Sequence, residues 1–377
     1  MYADSPVALG VEDGVKVVVG KHSSAEHLRP EGTFGRKVNC IEHDNLTHNV
    51  HRFIVALRTT GAMGHSWFNK TVTVRVSVQG SPRDGASWLR FAAEIESAGF
   101  DGLFVADHPG SGPAPFVALA AAAGVTERIR LGTYVLNAGT WDPMKLACEA
   151  ATLDVVSGGR AVLGVGAGHT PAEWTATGQR YPSPAGRVAR MVELVTATQA
   201  LLAGEPVSFR GEFFALVDAA LQDPRPVQDR IPLLIGGNGT KLLHFAAQHA
   251  DIVGVTGLGR TLADGHRHDV DWSPAGVSRI ADIIASANTL TGRRPQVDAL
   301  VQHVEITNDA NGAAKRLTEL VPGASVDDLL GTPFVWLGTV EEIRDKLHRH
   351  ETVLGIERYT VRGPAVADVR RILNDTT

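Results

Sequence analysis

The stretch Arg130–Val165, RLGTYVLNAGTWDPMKLACEAATLDVVSGGRAVLGV, decides the fold. It opens on a strand-like run (Arg130–Leu136) and continues into a helix over Pro143–Val156, with proline at its first turn. Ser157-Gly158-Gly159 stops that helix, and a second apolar run follows at Arg160–Val165. Strand, helix and strand within some 35 residues make one parallel crossover unit. Working outward, Thr73–Val78 and Gly102–Ala106 are further strand-like runs, with helices at Ala86–Ala98 and Pro115–Ala123. These four strands start at 73, 102, 130 and 160, which are 29, 28 and 30 residues apart.

The rhythm continues toward the C-terminus. A helix is expected over Gly186–Ala203, then hairpin-like alternation over Val207–Val217 around Arg210-Gly211. Strands at Ile231–Ile235, Ile252–Val255, Val297–Ile306 and Ile356–Val361 complete a set of eight. Helices at Lys241–His249, Val277–Thr289, a region through Leu330, Val340–Leu354 and Ala365–Leu373 lie between or after them. A Gly-, His- and Asp-rich insertion runs from Thr256 to about Pro274. Eight such units fit an α/β protein of the (β/α)8 TIM-barrel class with insertions. An open doubly wound sheet would not normally need eight.

Composition narrows the function classes. The 377 residues carry 36 Lys+Arg against 41 Asp+Glu, a net charge of −5, so the basic excess of a dedicated nucleic-acid binder is missing. No segment approaches 18 consecutive apolar residues, which excludes a spanning helix. No secretory pattern is visible at the N-terminus, and the two cysteines, Cys40 and Cys148, suit a reducing compartment, so a cytoplasmic protein is expected.

Residues 1–72 lack the strand–helix rhythm and hold six of the fifteen histidines. They form an N-terminal extension, for which poor order is one expectation, although Val15–Val19 and Phe53–Leu57 have strand composition. The barrel is assigned to 73–377. Cys40, His43, His48 and His51 match no zinc spacing, so no metal is expected.

Three strand ends carry candidate chemistry, since the C-terminal strand ends of a barrel form its active face. Gly236-Gly237-Asn238-Gly239 follows a strand and opens a helix, which suits phosphate binding by backbone N–H groups and equally a tight turn. It has neither the Walker nor the dinucleotide spacing. Asp107-His108 places a proton-transferring imidazole at the second strand end, or a loop-capping aspartate with a packed histidine beside it. Gly164-Val165-Gly166-Ala167-Gly168-His169 clears space at the fourth strand end, for a flat ligand or for a glycine turn.

Together these stretches resemble the luciferase-like monooxygenase superfamily, within it the branch that uses the deazaflavin coenzyme F420. The resemblance rests on GLFVADH (Gly102–His108), the run Leu131–His169, RVARMVELVTATQALLAG (Arg187–Gly204) and PLLIGGNGTKLLHFAAQHADIVG (Pro232–Gly254). It covers about residues 73–377 and implies an oxidoreductase holding its cofactor ring at the barrel mouth. The phosphate loop then falls on Gly236, Gly237, Asn238 and Gly239, and Gly166 and Gly168 face the ring. A cis peptide is implied at Tyr134–Val135, with Asn137 nearby and Asp107 touching the cofactor. His108 and His169 are the catalytic candidates for moving the substrate proton.

Two departures set this chain apart from the superfamily's sugar-phosphate dehydrogenases. Pro109-Gly110-Ser111-Gly112-Pro113 stands where they carry a tryptophan, and His169 stands where they carry a glutamate. The expected reaction is hydride transfer between F420 and a small organic substrate, with a homodimer implied. The alternatives are an FMN-dependent monooxygenase or a non-catalytic flavin- or deazaflavin-binding protein.

Overall fold

The computed structural model describes residues 16–19, 74–262 and 268–374. Eight parallel strands close on themselves: β1 (Arg75–Gln79), β2 (Gly102–Val105), β3 (Arg130–Thr133, resumed at Leu136–Asn137), β4 (Ala161–Gly166), β5 (Leu233–Gly236), β6 (Ile252–Val255), β7 (Gln296–Leu300) and β8 (Ile356–Arg362). Each pairs with its neighbour in chain order, and β8 pairs with β1 to complete the ring. This is the expected TIM barrel.

The strands read as unbroken apolar runs because both faces are covered. All residues of β2, β4 and β6 are buried. Phe104, Tyr134, Val162, Leu234, Ile252 and Leu300 form one cluster inside. The crossover helices include α1 (Gly85–Ser97), α2 (Pro115–Ala123) and α3 (Pro143–Ser157). The last shows how closely local chemistry sets boundaries. Asp142 caps it by accepting from Met144 N at 2.9 Å and Lys145 N at 3.2 Å, Pro143 occupies the first turn, and Gly158 ends it at φ +66°.

Two short elements escaped the sequence rhythm. A six-residue helix, α4 (Pro171–Ala176), precedes α5 (Pro184–Leu202). The long strand expected over Val297–Ile306 is also divided. β7 ends at Leu300, and His303–Ile306 pairs in parallel with Val335–Gly338, outside the barrel. The reason is a change of partner: Val301 N still bonds Thr360 O on β8, but Gln302 N bonds Phe334 O. Val335–Gly338 was not anticipated, and the region before it holds two helices, α8 (Ala310–Thr318) and α9 (Val326–Gly331), numbered after α6 (Thr240–His249) and α7 (Pro274–Thr291).

The hairpin is present as Val207–Arg210 against Ala215–Ala219, and Lys16–Val19 pairs antiparallel with its first strand. The insertion after β6 forms a second hairpin, Leu258–Thr261 with His268–Val270. Phe53–Leu57, Cys40, His43, His48 and His51 lie outside the described residues. No helix among the described residues is long and apolar enough to cross a membrane.

Candidate active site

A cavity of about 1000 Å³ opens at the C-terminal ends of the strands. Its lining includes Asp107, His108, Tyr134, Val135, Asn137, Gly166, Gly168, His169 and the whole of Gly236–Gly239. The sequence-selected residues are thus brought to one mouth, although they span more than 130 positions in the chain. The lining residues that were not anticipated include the polar side chains Gln79, Glu173, His268 and Arg362.

A polar network organises the β2–β3 side. His108 Nδ1 lies 2.8 Å from Glu173 Oε1, and the other carboxylate oxygen, Oε2, accepts from Asn137 Nδ2 at 2.7 Å. Asn137 Oδ1 accepts from Gly139 N at 2.9 Å, and its own backbone N–H donates to Asp107 Oδ2 at 3.1 Å. Trp141 Nε1 donates to the same Asp107 oxygen at 2.8 Å. Asp107 is only 7% exposed, and its bonds run to the β3 end, so it holds that strand end in place beneath the histidine. Trp141, in the turn after β3, is an aromatic anchor missed because its sequence neighbourhood is a plain helix-capping turn.

The charges sort the two histidines, which sequence left unranked. The Glu173 hydrogen bond raises the pKa of His108 above the ordinary histidine value, against the opposing effect of burial. Burial pushes Glu173 up, but hydrogen bonds from His108 and Asn137 outweigh it and hold the carboxyl below its usual range. Burial beside His268 and His108 pulls His169 down to about 4. His169 is therefore neutral at pH 7, with its ring centroid 6.0 Å from His108 and 4.7 Å from His268. Its carbonyl accepts from Tyr181 Oη at 2.9 Å and Thr261 Oγ1 at 3.2 Å. Asp107 is raised, chiefly by burial.

Glu173 sits on α4, the short helix that sequence periodicity could not reveal. It lies four residues after His169, so a carboxylate does enter the site past the fourth strand. A glutamate two residues after Pro171, which opens the turn, was the available sequence signal.

The Tyr134–Val135 peptide is cis. The Tyr134 ring is buried in the barrel core, in edge contact with Phe104, while Val135 lines the cavity. Glycine is required at 168, where φ is +74° and a Cβ would stand 2.0 Å from Asn137 Oδ1. At 166 a Cβ would meet Val135 Cγ2 at 2.6 Å.

Across the mouth, Gly236–Gly239 leads into α6, whose N-terminus has no side-chain cap. Its first-turn N–H groups have no intrahelical partner by geometry. Gly237 N is engaged with Gly254 O at 3.0 Å. Asn238 spends its whole side chain on the neighbouring loop: Nδ2 donates to Thr256 Oγ1 (2.6 Å) and Leu258 O (2.8 Å), and Oδ1 accepts from Thr256 N and Gly257 N. It fastens the loop. Gly239 alone of the loop's three glycines has open space beside it, with nothing within 4 Å of an added Cβ, while a Cβ at 236 would meet Val135 Cγ1 at 2.8 Å and one at 237 Leu242 Cδ1 at 2.8 Å.

The family model for the luciferase-like monooxygenase matches residues 70–357. The chain belongs to that family. The F420-dependent glucose-6-phosphate dehydrogenase of Beutenbergia cavernae is 36% identical over 193 residues, covering 49% of this chain and 56% of the relative. The chain spans about half the length of the curated relatives it matches. Among solved structures, the coenzyme F420-dependent tetrahydromethanopterin reductase of Methanopyrus kandleri superposes with a TM-score of 0.65 at 19% identity, covering 80% of this chain and 97% of that one. An F420-dependent secondary alcohol dehydrogenase, in complex with an F420–acetone adduct, gives 0.65 at 20% identity, covering 81% and 98%. These two likenesses show the shared barrel fold.

Proposed function

We propose that this chain is a coenzyme F420-dependent oxidoreductase that transfers a hydride between the deazaflavin and a small organic substrate. The observation that carries the reading is the His108–Glu173 pair at 2.8 Å, in the same cavity as an uncapped helix N-terminus behind Gly236–Gly239. The curated relatives named for F420 support the choice of cofactor. The mouth suits such a group: the open side of Gly239 and the first-turn N–H groups of α6 favour a phosphate, and Val135, Leu300 and Leu242 offer apolar contact to a ring. Bound there, the deazaflavin supplies two-electron hydride chemistry.

The chain's own residues then have distinct tasks. His108 commits Nδ1 to Glu173, which leaves Nε2 as the ring nitrogen available to the cavity. Its raised pKa lets it hold a proton near neutral pH and give it to a developing alkoxide or carbanion, or take one from an alcohol in the reverse direction. Glu173 fixes the ring's orientation and stabilises the imidazolium. Asn137, tied to Glu173, Gly139 and Asp107, sets the position of both. Neutral His169 stands against the His268 ring at 4.7 Å between centroids, and both line the cavity.

The test is a parallel fluorescence titration of the full chain with F420 and FMN, followed by turnover on alcohols, activated alkenes and glucose 6-phosphate. Preferential F420 binding, and turnover reduced about 10²–10⁴-fold in H108A, is the expected result. Preference for FMN with oxygen uptake would replace the reading by a monooxygenase. Tight F420 binding with no turnover on any acceptor would make the protein a carrier.

A further inference from the structure

Arg362 closes β8 and lines the cavity, and among the described residues no carboxylate pairs with it. Its contacts are two neutral amides. Nη1 donates to Gln79 Oε1, and Nη2 donates to Gln302 Oε1 at 3.0 Å. Both amides are fixed with their oxygens toward the cation. Gln79 Nε2 donates to Tyr134 O, and Gln302 Nε2 donates to Leu300 O at 3.1 Å. The pair therefore aims the guanidinium without neutralising it.

A partly buried cation held this way is out of keeping with the usual rule that buried charges are paired. Burial lowers its pKa, opposed only by Tyr134, yet a guanidinium remains charged in proteins. Of its five N–H donors two are spent on the glutamines, which leaves three. Two of these three, lying in the guanidinium plane, are enough to meet both oxygens of a carboxylate.

Position separates this site from the glycine loop. Arg362 and Gln79 end β8 and β1, next to β2 and His108, whose pKa registers the Arg362 charge. The loop ends β5, three strands from β8 round an eight-stranded ring. We infer that Arg362, aimed by Gln79 and Gln302, is the docking point for a substrate carboxylate beside His108, so that the substrate is a small organic acid. Calling the anion the substrate's rests on the hydride-transfer reading; the anion site itself does not.

The experiment is calorimetric titration of the full chain, in a buffer free of carboxylate and phosphate, with benzoate, benzamide and inorganic phosphate, and separately with F420. Wild type is expected to bind benzoate saturably and at least about tenfold more tightly than benzamide, the worth of one charged hydrogen bond. In R362Q that preference is lost, while F420 affinity stays within about threefold because its phosphate contact lies elsewhere. R362K keeps a point charge without the fork and is expected to retain part of the preference, which preserves the test if R362Q does not fold. Equal binding of benzoate and benzamide would overturn the inference. So would an Arg362-dependent site that takes phosphate and refuses benzoate, or an R362Q variant that loses F420 as steeply as benzoate. Failure of wild type to bind F420 would instead strike at the hydride-transfer reading, and the benzoate isotherm of the same protein would still decide the anion site.

Discussion

Replacing Glu173 by glutamine keeps the side-chain shape and one hydrogen bond to His108 but removes the charge. The hydrogen bond it alters is 2.8 Å long, with the carboxylate side chain 6% exposed and the imidazole 42% exposed. A hydrogen bond to a charged partner contributes about 1.5–3 kcal/mol, and the half-open histidine places this one near the lower end. The assay is the pH titration of the His108 ring by NMR on histidine-labelled protein. Wild-type His108 is expected to titrate above the ordinary histidine value, and E173Q to bring it down toward that value, because its largest raising cause, the Glu173 hydrogen bond, loses its charge. Stability must follow with the right signs. His108 is raised in the folded state, so its contribution is complete below about pH 6.5 and fades as pH rises through the folded value. Glu173 is lowered, so its contribution is complete above about pH 4.3 and fades as pH falls through its folded value. The stability gap between wild type and E173Q, read by urea unfolding, is therefore widest between those two limits. A titration of His108 indifferent to E173Q, or a gap that widens above pH 8, would refute the pairing.

Three further outcomes follow from the same geometry. H169Q is expected to flatten the acid limb of stability: wild-type His169 has its pKa near 4, so the unfolded chain binds the extra proton and stability drops as pH falls from about 6.5 toward 4, a slope that urea unfolding would show reduced in the variant. His350, also near 4, retains its share of that slope, so only part is removed. G168A forces a Cβ to within 2.0 Å of Asn137 Oδ1 at φ +74°, and a loss of about 1–3 kcal/mol in unfolding free energy is expected together with weakened F420 binding. G239D enters open space, so its melting temperature should match wild type while its carboxylate, beside the helix N-terminus, lowers F420 affinity at least about tenfold; unaltered affinity would remove the phosphate from this loop.

Much of the fold was legible because its causes are local. The proline and glycine that bound the helix at Pro143–Ser157 act within a turn of each other, and apolar runs such as Ala161–Gly166 are long enough to show burial on both faces. The break after Leu300 was invisible because it is decided by Phe334, a partner more than thirty positions away. The strand composition of His303–Ile306 is unchanged by it. The same division holds in the site. Glycine loops and the Asp107-His108 pair announce themselves by residue type at strand ends, whereas Glu173, Gln79 and Arg362 matter through what they touch. A glutamate on a six-residue helix and a glutamine at the end of a strand have ordinary surface readings until the barrel closes.

The closure itself explains why the mouth has two unlike sides. Joining β8 to β1 brings Arg362 and Gln79, 283 positions apart, into one hydrogen-bonded pair, and sets them next to the β2 end that carries His108. That side gathers groups that hold charge: a guanidinium, an imidazole biased toward its protonated form, and the glutamate that biases it. On the β5–β6 side the polar donors are backbone N–H groups, and Asn238 consumes its side chain in tying one loop to the next. Fixed backbone donors suit a group common to every turnover, since they impose no titration and little choice. Side-chain charges suit the partner that must be recognised and protonated. A substrate anchored by Arg362 would bring its anion next to His108, where the cation lowers and Glu173 raises the imidazole's proton affinity. Occupation of Arg362 by a carboxylate cancels the first effect and leaves the second, so binding an acid should itself raise the pKa of His108. The NMR titration repeated with saturating benzoate measures that coupling, and an unmoved His108 would show that anion and proton donor act apart.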